Sequence, residues 1–231
     1  MSGEREELVI SIGGSILLPE DGRVSRLVSL AELLREHSEE KDLYLVVGGG
    51  RIARRYINWG RKLGADESAL DELGIGTSRL NARLLITALE KNVYPVPAEN
   101  FDEAISAGNH YNMVTMGGTH PGHTTDAVAA MLAERLDSNR LINATSVDGV
   151  YTSDPDKKEN AEKIEKLDYE ELIEIVSKGE HGAGPNVVFD PLAANIIKRA
   201  NIETYVLDGR DLTSLEKAIE DELFEGSIIK D

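Results

Sequence analysis

Cysteine is absent from the 231-residue sequence, and aromatic residues make up only 5% of it. Without cysteine the chain has no disulfide framework, no thiolate metal site and no cysteine nucleophile. Because aromatic side chains are scarce, the core must be built from Leu, Ile, Val and Ala. The sequence also lacks proline-rich linkers, low-complexity segments and internal repeats. We therefore predict a single domain over residues 1–231.

Basic residues are in the minority, with 25 Lys and Arg against 42 Asp and Glu and a net charge of −17. Such a charge repels nucleic-acid backbones and anionic membranes, so we expect neither as a partner. The acidic bias fits either an ordinary solvated surface or a salty cytosol that screens the repulsion. The apolar run near the N-terminus ends in glycine after five residues, which is typical of neither a signal peptide nor a membrane span. We expect a cytoplasmic protein.

Apolar runs of strand length alternate with segments of helical spacing along the chain. The predicted strands are residues 8–12, 43–47, 93–96, 113–116, 140–144, 204–207 and 227–229, the last at a sheet edge. Helices are predicted from residue 24, after residue 50, and at 80–89, 102–107, 125–136, 169–176, 192–199 and 212–219, with a surface loop at 157–166. This alternation predicts βαβ units on a mostly parallel sheet, which is an α/β fold.

Three predicted strands end in glycine, at Gly13-Gly14, at Gly48-Gly49-Gly50 and at Gly117-Gly118. Ligands of parallel α/β sheets bind outside the carboxyl ends of the strands. Glycine has no Cβ there, so backbone N–H groups can approach a phosphate closely. A single glycine turn is most often only turn chemistry. Three in one chain favour the binding of two phosphate-rich ligands.

The common phosphate-binding fingerprints are missing. No segment matches the P-loop pattern G-x-x-x-x-G-K-[ST]. Gly48-Gly49-Gly50 is not followed by the third glycine of the dinucleotide pattern, and no acidic residue closes the second strand. These absences argue against a P-loop NTPase and against a nicotinamide-dependent enzyme.

Several motifs resemble the amino-acid-kinase superfamily, which includes acetylglutamate, aspartate, carbamate and UMP kinases. They are residues 12–15, 47–50 and 148–151 with Asp154-Pro155, and their order matches the family over nearly the whole chain. Residues 116–130 and 190–194 are similar to the signature of the archaeal-type UMP kinases within it. The resemblance implies a three-layer αβα sandwich, with an acceptor-binding part over residues 1 to about 140 and an ATP-binding part over the remainder.

The resemblance also implies roles for individual residues. The implied ATP contacts are Gly13, Gly14, Ser15, Gly50, Arg54, Thr145, Ser146, Tyr151 and Asp154. The implied UMP contacts are Gly49, Asp71, Thr119, His120, Pro121, Gly122, His123, Thr124 and Thr125. In this assignment Asp71 binds the ribose of UMP, and residues 119–125 surround its uracil and phosphate.

Each assignment has an ordinary alternative. Arg54 is otherwise an exposed helix arginine, although its permanently charged guanidinium suits phosphate oxygens. Asp71 is otherwise a helix N-cap or a solvated charge, although a carboxylate also suits two ribose hydroxyls. His120 and His123 could form a metal pair, but Pro121-Gly122 breaks any helix between them and no third ligand is near in sequence. We therefore expect no metal site there.

The resemblance implies transfer of the γ-phosphoryl group of ATP to UMP, with Mg²⁺ accompanying ATP and a homohexameric assembly. The UMP phosphate is already an anion, so positioning and charge stabilisation matter more than a general base. Many members of the superfamily have a lysine two residues before the first Gly-Gly, where this chain has Ser11. We therefore take Arg54 as the catalytic cation, with Lys198 as a second candidate.

Two other functions stay open. One is a sister kinase of the superfamily with another acceptor, such as acetylglutamate or isopentenyl phosphate. The other is a noncatalytic nucleotide sensor or storage protein on the same fold, which the missing lysine favours and the intact acceptor segment disfavours.

Overall fold

The computed structural model describes residues 5–18, 24–153, 160–178 and 188–231. The strands of these residues are β1 (Glu6–Ile12), β2 (Lys41–Val47), β3 (Met113–Met116), β4 (Arg140–Thr145), β5 (Val150–Tyr151), β6 (Lys163–Ile164), β7 (Lys166–Leu167), β8 (Glu203–Asp208) and β9 (Ser227–Ile229). The helices are α1 (Gly14–Leu17), α2 (Ser25–His37), α3 (Gly50–Lys62), α4 (Glu67–Leu89), α5 (Phe101–Gly108), α6 (Thr125–Leu136), α7 (Tyr169–Lys178), α8 (Pro191–Arg199) and α9 (Leu212–Ile219).

A seven-stranded sheet with the order β3-β2-β1-β4-β8-β9-β7 forms the centre of the fold. The pairs from β3 to β8 are all parallel, so five strands end at the same edge of the sheet. Strand β9 runs antiparallel to β8, and β7 pairs with its outer side. Strands β5 and β6 form a separate antiparallel pair. The expectation of a mostly parallel sheet is confirmed.

Helices cover both faces of this sheet. Leu8, Ile10 and Ile12 of β1 face one core, where they meet apolar residues of α2, α4 and α9. Val9 of the same strand faces the other core, which contains α5, α6 and α8. This alternation is that of a strand whose successive side chains point to opposite sides. Because both sides are covered, the strand reads as a continuous apolar run, and the three-layer αβα arrangement is confirmed.

Polar side chains in the connections before several helices fix where those helices begin. Each accepts a hydrogen bond from a backbone N–H group of the first turn, which would otherwise lack a partner. These caps are Asp66 for α4, Asn100 for α5, Thr124 for α6, Asp190 for α8 and Asp211 for α9. In the parallel part of the sheet these connections also carry the candidate site residues.

Some predicted elements were wrong. Helix α4 begins at Glu67 rather than near Leu80, because Asp66 caps it and the helix continues through Gly74 and Gly76 despite their poor helix propensity. Segment 93–96 is not a strand. Pro95 has no N–H to donate, and this part of the chain joins β3 through isolated bridges at Val93 and Ala98.

Two predictions near the C-terminal half also need correction. Strand β9 is not an edge strand, because β7 pairs with its outer side. The predicted loop 157–166 begins outside the described residues, and its later part contains β6 and the first residue of β7. Among the described residues, every helix is either too short or too polar for a membrane crossing.

Candidate nucleotide-phosphate site

The first two glycine turns lie side by side where β1 and β2 end. The backbone N–H of Gly13 donates to the carbonyl of Ala144 at 2.9 Å, and that of Gly48 donates to the carbonyl of Ile12 at 2.9 Å. These bonds extend the sheet by one residue before the chain turns into α1 and α3. The free N–H groups that begin both helices therefore lie along the same edge.

The two turns are packed backbone against backbone. A Cβ on Gly14 would lie 2.6 Å from the amide nitrogen of Gly50, and a Cβ on Gly50 would lie 2.5 Å from the carbonyl carbon of Gly14. Gly50 also has a φ of +61°, in the left-handed region that glycine adopts at little cost. Glycine is therefore required at both positions by sterics, and the two turns share one contact surface.

Arg54 lies next to this contact. It lies one turn into α3, and its guanidinium donates a hydrogen bond to the hydroxyl of Ser15 at 3.2 Å. Ser15 belongs to the first glycine turn, so the structure brings Arg54 to the turn that sequence analysis assigned to ATP. The side chain is exposed, which leaves its other N–H groups available to an anion.

Helix α4 holds the glycine turns through polar side chains on its buried face. The amide of Asn81 donates to the carbonyls of Gly48 at 2.9 Å and Gly49 at 3.2 Å. The hydroxyl of Ser78 accepts the N–H of Gly118 at 2.8 Å. Sequence analysis missed both residues. The signal was present, because Ser78 and Asn81 are polar residues three apart and therefore lie on one face of the helix, next to the apolar positions Ala82 and Leu85.

Arg79 fixes the third turn from its other side. Its Nε donates to the carbonyl of Gly118 at 3.1 Å, and its guanidinium forms an ion pair with Glu99 at 3.2 Å. The third turn is thus bound to α4 by both Ser78 and Arg79. Sequence analysis did not identify Arg79 either.

Asp71 lies opposite the segment that follows the third turn. Its Oδ2 accepts the backbone N–H of Gly122 at 2.7 Å. The alternative of Asp71 as an N-cap is wrong, because Asp66 caps α4 and Asp71 lies inside it. The structure therefore brings together Asp71 and the 119–125 segment, which lie about 50 positions apart in the sequence.

The two histidines of this segment have different surroundings. Thr119 is buried, and its hydroxyl lies 3.5 Å from Nδ1 of His123. The rings of His120 and His123 meet edge to face, with centroids 6.1 Å apart. Pro121 and Gly122 form the turn between them. Thr119 and His123 therefore lie close enough for a bound group to contact both.

Thr124 and Asp190 join the acceptor segment to the C-terminal part of the chain. The hydroxyl of Thr124 accepts the N–H of Ala127 at 3.0 Å as the cap of α6, and it donates to the Oδ2 of Asp190. Asp190 in turn caps α8 by accepting the N–H of Leu192 at 2.8 Å. Thr125 follows as the first residue of α6. The two helix starts are thereby held against each other.

Asp126 is a partly buried acid beside these caps. Its Oδ1 accepts a hydrogen bond from Ser11 at 3.1 Å. Ser11 is the residue at the position where many superfamily members have lysine. Burial raises the pKa of the Asp126 carboxyl to about 7; the hydrogen bond from Ser11 opposes the shift, and the charge of Asp190 adds to it. Near neutral pH a cation or an anion that binds nearby would therefore change the protonation of this carboxyl. Sequence analysis included Asp126 in the signature of residues 116–130 but gave it no role of its own, because it looks like an ordinary residue of a first helical turn.

A pocket of about 370 Å³ opens where β4 and β8 end. It is lined by Ser146 and Tyr151, two of the predicted ATP contacts, and by Arg210. Thr145 lies at the end of β4, and its carbonyl accepts the N–H of Gly209 at 2.9 Å. The remaining predicted contact, Asp154, lies outside the described residues.

Hydrogen bonds order the wall of this pocket. The hydroxyl of Tyr151 donates to Asp148 at 2.8 Å, and Lys163 forms an ion pair with the same carboxylate at 3.1 Å. Burial by itself would raise the pKa of Asp148, but these two hydrogen bonds hold it below its ordinary value. The wall thus keeps a charged carboxylate fixed beside the opening.

The raised pKa of Asp126 predicts how a substitution changes stability with pH. An acid whose pKa rises from 3.8 to about 7 on folding loses stability as the pH increases through this interval. Asp126→Asn removes that loss. We expect its gain in the free energy of unfolding over the wild type to be about 2 kcal/mol larger near pH 8 than near pH 5. Urea titrations at both pH values measure it.

The control for this prediction is Asp102→Asn, which changes an exposed carboxylate on α5 that pairs with Arg135. Its effect should be small and nearly constant over the same interval. A gain for Asp126→Asn that does not grow with pH would contradict the buried, weakly ionised carboxyl.

Comparisons with known proteins agree with this geometry. The model of the amino acid kinase family matches residues 6–208. A uridylate kinase of Pyrococcus abyssi is 47% identical over 208 residues, which cover 90% of this chain and 92% of that protein. A uridylate kinase of Methanoculleus marisnigri is 45% identical over 226 residues, covering 97% and 95%.

A solved structure gives the same result for the fold. The crystal structure of a uridylate kinase from Archaeoglobus fulgidus superposes with a TM-score of 0.86 at 42% identity, covering 96% of this chain and 99% of that one. The family match, the sequence relatives and the shared architecture lead to one conclusion. The chain belongs to the amino acid kinase family.

Proposed function

We propose that the chain is a UMP kinase that transfers the γ-phosphoryl group of ATP to UMP. The observation that carries this proposal is the backbone contact between the first and second glycine turns, through Gly14 and Gly50. Two turns that each suit phosphate meet there, as a reaction between two phosphate groups requires. The relatives named above are all uridylate kinases, that is, kinases named for UMP.

The proposed reaction needs no general base. An anionic oxygen of the UMP phosphate attacks the γ-phosphorus of ATP, and the bond from that phosphorus to the β,γ-bridging oxygen breaks. ADP leaves with the electron pair, and UDP is formed. The difficulty is repulsion between two anions, which backbone N–H groups and cationic side chains reduce.

We propose that donor and acceptor occupy opposite ends of the row of glycine turns. ATP is assigned to Gly13, Gly14, Ser15, Gly50, Arg54, Thr145, Ser146, Tyr151 and Asp154. UMP is assigned to Gly49, Asp71, Thr119, His120, Pro121, Gly122, His123, Thr124 and Thr125. The UMP contacts all lie in the acceptor-binding part, up to about residue 140. The ATP contacts come both from the glycine turns of this part and from the ATP-binding part beyond it, within a single domain.

Two features support the assignment of the ends. The pocket at the ends of β4 and β8 has the size and the hydrogen-bonding wall that a nucleoside needs. At the other end, the bond from Gly122 to Asp71 places the carboxylate beside the 119–125 segment. A carboxylate can accept several hydrogen bonds, so Asp71 can also accept from ribose hydroxyls when that segment binds UMP. We further propose that ATP arrives as its Mg²⁺ complex, in which the phosphate oxygens bind the ion.

Arg54 is the proposed catalytic cation. Ser11 occupies the place of the usual lysine, and because serine is neutral it brings no positive charge; its hydroxyl donates to Asp126. Lys198 on α8 forms an ion pair with Glu170 at 2.8 Å, so its ammonium group already has an anionic partner. Arg54 donates to Ser15 in the first glycine turn, which favours it over Lys198.

Acceptor specificity separates this proposal from its rivals. We expect ADP release from ATP to depend on UMP and to be at least about 100-fold slower with acetylglutamate or isopentenyl phosphate, because neither offers a ribose and base to residues 119–125 and Asp71. A coupled assay of ADP release over these acceptors and CMP measures it. Faster turnover of another acceptor would favour a sister kinase. Binding of both nucleotides without turnover would favour a sensor.

Arg54→Ala tests the source of positive charge. We expect kcat to fall by about 100-fold or more, since one donor to the transferring group is lost, and Arg54→Lys to restore part of it. Steady-state kinetics of the variants measure this. The matched control is Arg61→Ala at the far end of α3, where the guanidinium pairs with Glu67. A normal kcat for Arg54→Ala would eliminate Arg54 as the catalytic cation.

We also propose a homohexamer in the cytoplasm. Its support is a set of exposed apolar side chains on α3 and α4, which include Tyr56 at 47% exposure, Trp59 at 50% and Leu80 at 67%. Large exposed apolar surfaces of this kind are typical of subunit interfaces. A second copy of the chain is the proposed occupant.

Light scattering during size-exclusion chromatography tests the assembly. The wild type should elute with about six times the chain mass of 25.2 kDa, and Trp59→Glu should form smaller species because a charge enters the interface. Leu223→Glu is the control, because Leu223 is 88% exposed and lies outside both helices. A monomeric wild type, or an unchanged mass for Trp59→Glu, would contradict the interface.

A further inference from the structure

Three potential metal ligands meet between α2 and α9, on a part of the surface that the proposed reaction does not use. His37 ends α2, while Glu216 lies in the C-terminal half of α9 and Glu220 is the C-cap of that helix. One ligand atom from each lies within 4.8 Å of the others. We propose that these side chains bind a divalent transition-metal ion of the Zn²⁺ type, which links the two helices.

The hydrogen bonding of His37 prepares its ring for a metal. Nδ1 lies 2.9 Å from the backbone carbonyl of Leu33, which can only accept, so Nδ1 carries the hydrogen. In the neutral ring, Nε2 therefore presents its lone pair. Metal-binding histidines commonly donate their other ring N–H to a carbonyl in this way, because it fixes the tautomer and the orientation.

The lone pair of His37 faces another acceptor. Nε2 lies 3.4 Å from Oε1 of Glu220, and only 9% of the histidine side chain is exposed. Two acceptors at this distance repel unless a proton or a cation lies between them. The buried ring is held in place, so a cation that binds both groups replaces a repulsive contact by two attractive ones.

Glu216 provides the third ligand. Residues four apart on a helix are neighbours, so Glu216 and Glu220 place two negative charges on one face of α9, where they repel. Among the described residues, Glu216 has no side-chain hydrogen bond or ion pair. A bound cation would neutralise this pair without displacing any partner of Glu216.

The donor set selects the class of ion. One imidazole nitrogen with two carboxylates suits Zn²⁺ and its neighbours, whereas Mg²⁺ and Ca²⁺ prefer oxygen alone. Bonds of about 2.0–2.2 Å in a tetrahedral site require the ligand atoms to approach one another by up to about 1.5 Å, which rotation of the exposed glutamates allows. Water completes the coordination. The ion acts as a structural link, since α9 also provides Ser214 to the pocket wall at its other end.

Metal titration of the full chain tests the proposal. Chelator-treated protein should bind one equivalent of Zn²⁺ per chain that His37→Gln and Glu216→Gln lack, and a saturating excess of Zn²⁺ should raise the Tm of the wild type by about 5 °C. Co²⁺ should give the visible bands of a site with a nitrogen ligand in the wild type only. Calorimetry, thermal unfolding and absorption spectra measure these effects.

Two variants keep the test decisive. Glu216→Gln removes no existing contact, so its loss of binding cannot be ascribed to misfolding. His110→Gln changes an exposed histidine on the loop after α5 and should leave the equivalent intact. The proposal is overturned if the wild type takes up no such equivalent, or if His37→Gln and Glu216→Gln bind Zn²⁺ as the wild type does.

Discussion

The contact between Gly14 and Gly50 is the constraint on which the rest of the site depends. Two parallel strands that are neighbours in the sheet end side by side, and the turns that follow touch through their backbones. No side chain can lie between them, so the N–H groups that begin α1 and α3 share one surface. In the proposed reaction this surface is where two anions must be brought together, and Arg54 supplies charge beside it through its bond to Ser15.

The remaining interactions keep this contact in place. Asn81 and Ser78 of α4 hold the second and third turns, and the bond from Thr124 to Asp190 holds the starts of α6 and α8 together. Asp126 is partly buried among these groups, and its pKa is raised as a result. A buried acid near neutrality lowers stability, which is common where a structure is shaped for function rather than for stability. Thus the same cluster links the acceptor segment, the first strand and the C-terminal helices.

Sequence patterns predicted the parallel sheet well because its strands are buried on both faces and end in glycine. The bounds of β3, α6 and α9 agree with the prediction, since apolar runs and capping residues mark them clearly. Helix α4 was mostly missed, because its glycines and its buried Ser78 and Asn81 do not look like an apolar helix face. The contact of Ser11 with Asp126, which are 115 positions apart, depends on tertiary packing and leaves no local pattern.

The most direct test of the central contact adds one methyl group to it. In Gly14→Ala the new Cβ would lie 2.6 Å from the amide nitrogen of Gly50, so the turns must separate and UMP-dependent ADP release should fall by roughly 100-fold. Gly76→Ala is the matched control, because nothing lies within 4 Å of a Cβ at Gly76 in α4, and it should retain activity. Kinetics of a folded Gly14→Ala protein that matched those of Gly76→Ala would contradict the account.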